Sequence, residues 1–91
     1  MNKLKFELLS LSNDLGRIST SINRDSTEAA TRFCEEGIKY CKTNDNTLPT
    51  YIRQILVSLK SELTDKKISA LDGERYLVRS IQLQNFALKE L

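Results

Sequence analysis

The chain has no histidine and no tryptophan, and its 91 residues include two cysteines, one proline and three glycines. Each shortage excludes something. Without histidine there is no Ser-His-Asp or Cys-His nucleophile and no imidazole general base, the commonest proton-transfer group in enzymes. A zinc site would need four cysteines, which one copy of the chain cannot supply. Gly16, Gly37 and Gly73 are isolated, so no glycine-rich phosphate loop forms. One proline, three glycines and no tryptophan suit helices better than turn-rich β structure. No apolar run reaches the ~18 residues of a membrane span. Neither sign of charge dominates: 14 basic residues face 12 acidic ones, the net charge is +2, and no run of like charge exceeds two residues. Carboxylates adjoin only at Glu35-Glu36, which project in different directions from a helix and suit a solvated face. The expectation is a protein that is not an enzyme and carries no cofactor or metal.

What is present is helical periodicity. Leu4, Leu8, Leu11, Leu15, Ile18 and Ile22 are spaced alternately four and three apart, one stripe at the 3.5-residue mean period of packed helices. This predicts a first helix over about 2–22. Asp25 followed by Glu28 reads as a capping box opening a second helix, about 26–42, whose face of Ala30, Phe33, Cys34, Gly37, Ile38 and Cys41 is mostly small. The polar run Thr43–Thr47 is a loop. Thr47 or Leu48 then caps a third helix, about 48–63, with Pro49 in its first turn and Ile52, Ile55, Leu56, Leu59 and Leu63 on its core face. Ser69 and Asp72 form an N-cap pair for a fourth helix, about 70–90. Short connections between such helices make neighbours antiparallel. The expected fold is all-α: one domain, 1–91, folded as an antiparallel up-down four-helix bundle. The alternative pairs the first or fourth helix with its counterpart in a second copy, so monomer and homodimer both stay open.

Cys34 and Cys41 lie seven apart, two turns or ~10.5 Å along a helix. That exceeds the ~7 Å Cα separation a disulfide tolerates, so within one helix they cannot bridge and read as small buried hydrophobes. The opening residues Met1–Glu7 are interspersed with polar residues and include an acid, unlike a secretory signal, so the expected location is the cytoplasm.

The fourth helix is more apolar than a bundle requires. Leu77, Ile81, Leu88 and Leu91 form one stripe with Gln84 in it, and Tyr76, Leu83, Phe86 and Ala87 form another. If the aliphatic stripe faces the core, Tyr76, Leu83 and Phe86 lie toward the rim beside Arg79. Tyrosine, phenylalanine and arginine are enriched at interface centres. Tyr76, Arg79, Leu83 and Phe86 are therefore the candidate partner-binding residues, and the expected partner is another protein rather than a small-molecule substrate. Nucleic acid is disfavoured, because the basic residues are spread over every helix and interrupted by acids.

Four segments carry a family resemblance. They are Glu36-Gly37-Ile38-Lys39-Tyr40-Cys41-Lys42 with the following Leu48-Pro49-Thr50-Tyr51-Ile52-Arg53-Gln54-Ile55-Leu56, then Asp65-Lys66-Lys67-Ile68-Ser69, then Glu74-Arg75-Tyr76-Leu77-Val78-Arg79-Ser80-Ile81. From Thr27 to about Gln84 the chain resembles the immunity proteins that protect lactic acid bacteria and streptococci against class IIa (enterocin A- or pediocin-like) bacteriocins. The resemblance implies a cytoplasmic four-helix bundle without enzymatic activity, acting from the cytoplasmic side on the mannose permease that the bacteriocin targets. That family carries a C-terminal extension that helps set specificity, whereas this sequence stops at Leu91, so no individual functional residue is carried over. A phage or mobile-element inhibitor of a host protein (anti-CRISPR, anti-restriction or antitoxin-like) is the alternative, and a small nucleic-acid-binding regulator is the third reading.

Overall fold

The computed structural model describes residues 2–41 and 45–91. It contains α1 (Lys3–Asn23), α2 (Thr27–Ile38), α3 (Thr50–Thr64) and α4 (Ala70–Glu90), with no strand among the described residues. Cross-helix contacts give the order. Ser12 meets Ser80, and Ile22 meets Gly73, so α1 and α4 run antiparallel. Arg17 stacks on Phe33 while Leu11 meets Gly37, which runs α2 back along α1. Lys66 beside Glu35, with Leu63 on Gly37, reverses α3 on α2. Arg75 on Glu62, with Phe86 against Tyr51, reverses α4 on α3. The helices form an up-down-up-down four-helix bundle.

The stripe of α1 is its central ridge. Leu8, Leu11, Leu15, Ile18 and Ile22 are all buried, and Leu4 packs at the edge of the same core. On α3 the expected face of Ile52, Ile55, Leu56, Leu59 and Leu63 is buried throughout, while Val57 is exposed. Small residues on α2 let it approach closely: a Cβ on Gly37 would lie 3.3 Å from Leu63 Cδ1 and 3.5 Å from Leu11 Cδ1. Both cysteines are free and buried, Cys34 within α2 and Cys41 beyond its end. Burial pushes each thiol up to about 11, so both stay protonated and weakly reactive at neutral pH. Replacing Leu11 by Ala is expected to cost ~2–5 kcal/mol, since Leu11 is fully buried and the ridge cannot collapse around the cavity. Urea unfolding measures this, and a change within about 0.5 kcal/mol would mean that the ridge does not carry the core.

The helix ends differ from the expectation in physically instructive ways. Asp25 does not open α2, and Ser26, at the N-cap, makes no side-chain cap. Asp25 instead closes α1. It adopts φ 56°, its N–H donates to Ile22 O, and the N–H of Ser26 reaches back to Ser21 O. This is a Schellman ending with aspartate where glycine is usual. The same ending recurs after α3, where Lys66 has φ 51°, donates to Leu63 O and is followed by Lys67 donating to Glu62 O. α2 stops at Ile38, because Lys39, Tyr40 and Cys41 each donate to the carbonyl three residues back, a tightened 3₁₀-type turn. The helix thus ends short of the expected Lys42, which itself lies outside the described residues, as do Thr43 and Asn44 of the expected loop. Asp45 accepts from the Thr47 backbone N–H and hydroxyl, and Pro49, not Thr47 or Leu48, is the N-cap of α3. Ser69 and Asp72 do form the capping box that opens α4.

Candidate functional site

α4 carries two heptad stripes, and the inward one is not the more aliphatic. Gly73, Tyr76, Ser80, Leu83 and Ala87, spaced three, four, three and four, are buried, and Phe86 joins them from the side facing α3. Tyr76 and Leu83 are 0% exposed and Phe86 7%. Leu77, Val78, Ile81 and Leu88 are 46–55% exposed, and Gln84 is exposed in line with them. The expected assignment of the two faces is thus reversed. Tyr76, Leu83 and Phe86 are core residues and unavailable to a partner. Arg79 is half-buried, donates to Gln82 Oε1 at 3.0 Å, and projects from the side of the helix away from Ile81.

Volume explains the reversal. α1 already fills its ridge with large aliphatic side chains, so the helix lying on it must present small ones. A Cβ at Gly73 would lie 3.2 Å from Ile22 Cγ2. Two turns further on, Ser12 and Ser80 exchange buried bonds: each hydroxyl donates to the other's backbone carbonyl at 2.8 Å. Such reciprocal satisfaction lets two polar side chains sit between packed helices without penalty. The large residues Tyr76, Leu83 and Phe86 then fill the wider gap toward α2 and α3. The signal available in the sequence was the small-residue heptad of Gly73, Ser80 and Ala87, complementary to a ridge of Leu and Ile.

The outer stripe borders a shallow groove that crosses the back of α1. Its floor is low, because Asn13, Gly16 and Thr20 are short there. Leu77 and Gln84 of α4 form one wall, and Phe33 of α2 stands on the other side. Arg17 and Arg24 line it as well, and no carboxylate does among the described residues. The Arg17 guanidinium sits 5.5 Å from the centroid of the Phe33 ring and 3.7 Å from Asp14 Oδ1. A cation over an aromatic face is held in place while staying accessible.

Asp14 is the most unusual ionisable group. It is 1% exposed and packs where α2 comes closest, with its second carboxylate oxygen unpaired among the described residues. Burial first and nearby Glu36 second push its pKa up to about 6, with Arg17 offsetting only part of their effect. Near the start of α4, Asp72 accepts from Ser69 and Arg75, which holds its carboxyl below the usual range. Among the described residues no group of three or more metal-ligating side chains comes together. No described helix is long and apolar enough to cross a membrane. No family model, curated protein or solved structure matches the chain.

Proposed function

We propose that this protein is a non-enzymatic binding module that engages another protein through the outer face of α4. The observation that supports this is the second stripe. Leu77, Ile81 and Leu88, with Val78 beside them, are spaced as a helix seam yet half-exposed. Single exposed aliphatic residues are ordinary on protein surfaces, whereas aligned ones mark an interaction site. The candidate partner-binding set becomes Leu77, Val78, Ile81, Gln84 and Leu88.

The likeness to class IIa bacteriocin immunity proteins gives this reading one concrete form, in which the partner is a membrane permease approached from the cytoplasm. Capture from a lysate of the source cells, solubilised membranes included, tests the general reading. The protein is expected to retain a partner, and Ile81→Glu with Leu88→Glu is expected to release it while the helical circular dichroism and melting midpoint stay unchanged. Equal retention by both proteins would remove α4 from the interface. Expression in a bacteriocin-sensitive strain tests the specific form: resistance to a pediocin-like peptide supports it, and continued sensitivity rejects it.

A further inference from the structure

The geometry points to an acidic amphipathic helix of a partner protein as the occupant of the groove between α1 and α4. This inference rests on the binding-module reading and specifies its partner. Leu77, Ile81, Gln84 and Leu88 recur four, three and four residues apart, the period that a second helix reads as a seam. The floor beside the stripe suits close approach. Gly16 has no side chain, and a Cβ there would meet only Ser80 Oγ, at an ordinary 3.8 Å, so this space is open to a side chain from outside. A helix seated along α4 would press its apolar seam on Leu77, Ile81 and Leu88 and face the back of α1 with one flank.

Charge complementarity selects the chemistry of that flank. Arg17 and Arg24 are the charged residues lining the groove, and the other liners are hydroxyl, amide, glycine or apolar. Arg17 is held in place by Phe33, and its partner Asp14 is buried beneath, while the arginine side chain as a whole stays more than half exposed. Carboxylates on the docked helix would therefore find two cations lining the groove, with Asp14 the acid already beside Arg17. Glu74, which is exposed, stands one heptad before Ile81, at the N-terminal end of the stripe. Both groove arginines belong to α1, so the acidic flank lies toward α1, which orients the partner helix about its own axis.

The test uses the intact protein and two synthetic amphipathic helices about three heptads long, identical in their leucine seam, one flanked by glutamate and one by lysine. Fluorescence anisotropy at ~50 mM salt is expected to show the glutamate helix binding about tenfold or more tightly than its lysine twin. Arg24→Glu should weaken the glutamate helix by about tenfold. Ile81→Glu, and separately Gly16→Gln, should abolish its binding with the circular dichroism spectrum unchanged. Equal binding of the twins, no binding of either, or displacement by a short nucleic-acid duplex would overturn the proposal. So would a concentration-dependent dimer in analytical ultracentrifugation that Ile81→Glu converts to monomer, since the groove would then belong to a second copy. If Ile81→Glu still releases the cellular partner while the twins bind alike, the acidic helix is wrong and the binding module stands. If Ile81→Glu affects neither measurement, both fall.

Discussion

Leu83→Glu combined with Phe86→Glu is expected to unfold the protein, whereas Ile81→Glu combined with Leu88→Glu leaves it folded. All four residues lie within two turns of one helix and all are apolar. The difference is where they point. Leu83 is fully buried and Phe86 nearly so, in edge-to-face contact with Tyr51. A carboxylate placed there loses the transfer energy of the side chain, leaves a void and must either shed its hydration or take up a proton. Each change of this kind belongs to the exceptional class above ~4–5 kcal/mol. Two of them, roughly 8–10 kcal/mol together, are comparable to the roughly 5–15 kcal/mol that holds a domain of this size. Ile81 and Leu88 are half-exposed, so a carboxylate there stays in water and each change is expected to fall within about 0.5 kcal/mol. Circular dichroism at 25 °C and urea melts of the two double variants decide the matter. A folded Leu83→Glu, Phe86→Glu protein would return the outer face to Tyr76, Leu83 and Phe86, and would withdraw the groove as a site.

Stability is expected to fall as pH rises from about 4 to 6, and Asp14→Asn is expected to remove that fall. The native carboxyl titrates at about 6, against an ordinary value of 3.8. Between those two values the folded chain holds a proton that the unfolded chain has released, so the unfolded state is favoured progressively as pH rises. The contribution is fully present below the unfolded value and is lost once pH passes the folded value. Two units correspond to roughly 3 kcal/mol, because each is worth about 1.4. The asparagine variant keeps the shape and discards the charge. It should therefore be more stable than the parent by ~1–3 kcal/mol at pH 7 and level with it near pH 4. Loss of the pairing to Arg17 works against this, but that contact is long and half in water, worth at most about 1 kcal/mol. Asp72, whose carboxyl is held low by Ser69 and Arg75, acts in the opposite sense: its contribution is lost as pH falls. The difference between parent and variant, measured by thermal melts from pH 4 to 8, isolates Asp14. A parallel pair of curves would mean that the carboxylate is solvated in the native protein.

Local pattern carried much of this structure. The seam of α1 and the core face of α3 are legible because each is a single aliphatic stripe, and a helix with one such stripe has one way to bury it. The capping box at Ser69 and Asp72 is likewise decided by neighbours three residues apart. Four helices joined by short connections leave antiparallel packing as the economical arrangement. These are properties that a short window of residues settles for itself.

Tertiary structure decided the rest. α4 has two stripes of the same period, and hydropathy favours Leu77, Ile81 and Leu88. What turned them outward is the occupied volume of α1, visible only when Ile22 is set against Gly73 and Ser12 against Ser80. The same holds for Asp14, whose position in α1 says nothing of the Gly37 that brings α2 down beside it. Asp25 and Lys66 adopt left-handed backbone because the helices they end must each release their chain toward the next one, overriding the usual preference for glycine. The sequence by itself thus determined how many helices there are and which faces could be buried. Only the packed bundle chose between the two faces of α4, because that choice depends on fitting volumes between helices far apart in the chain, and it left the aliphatic seam of α4 in water beside two arginines.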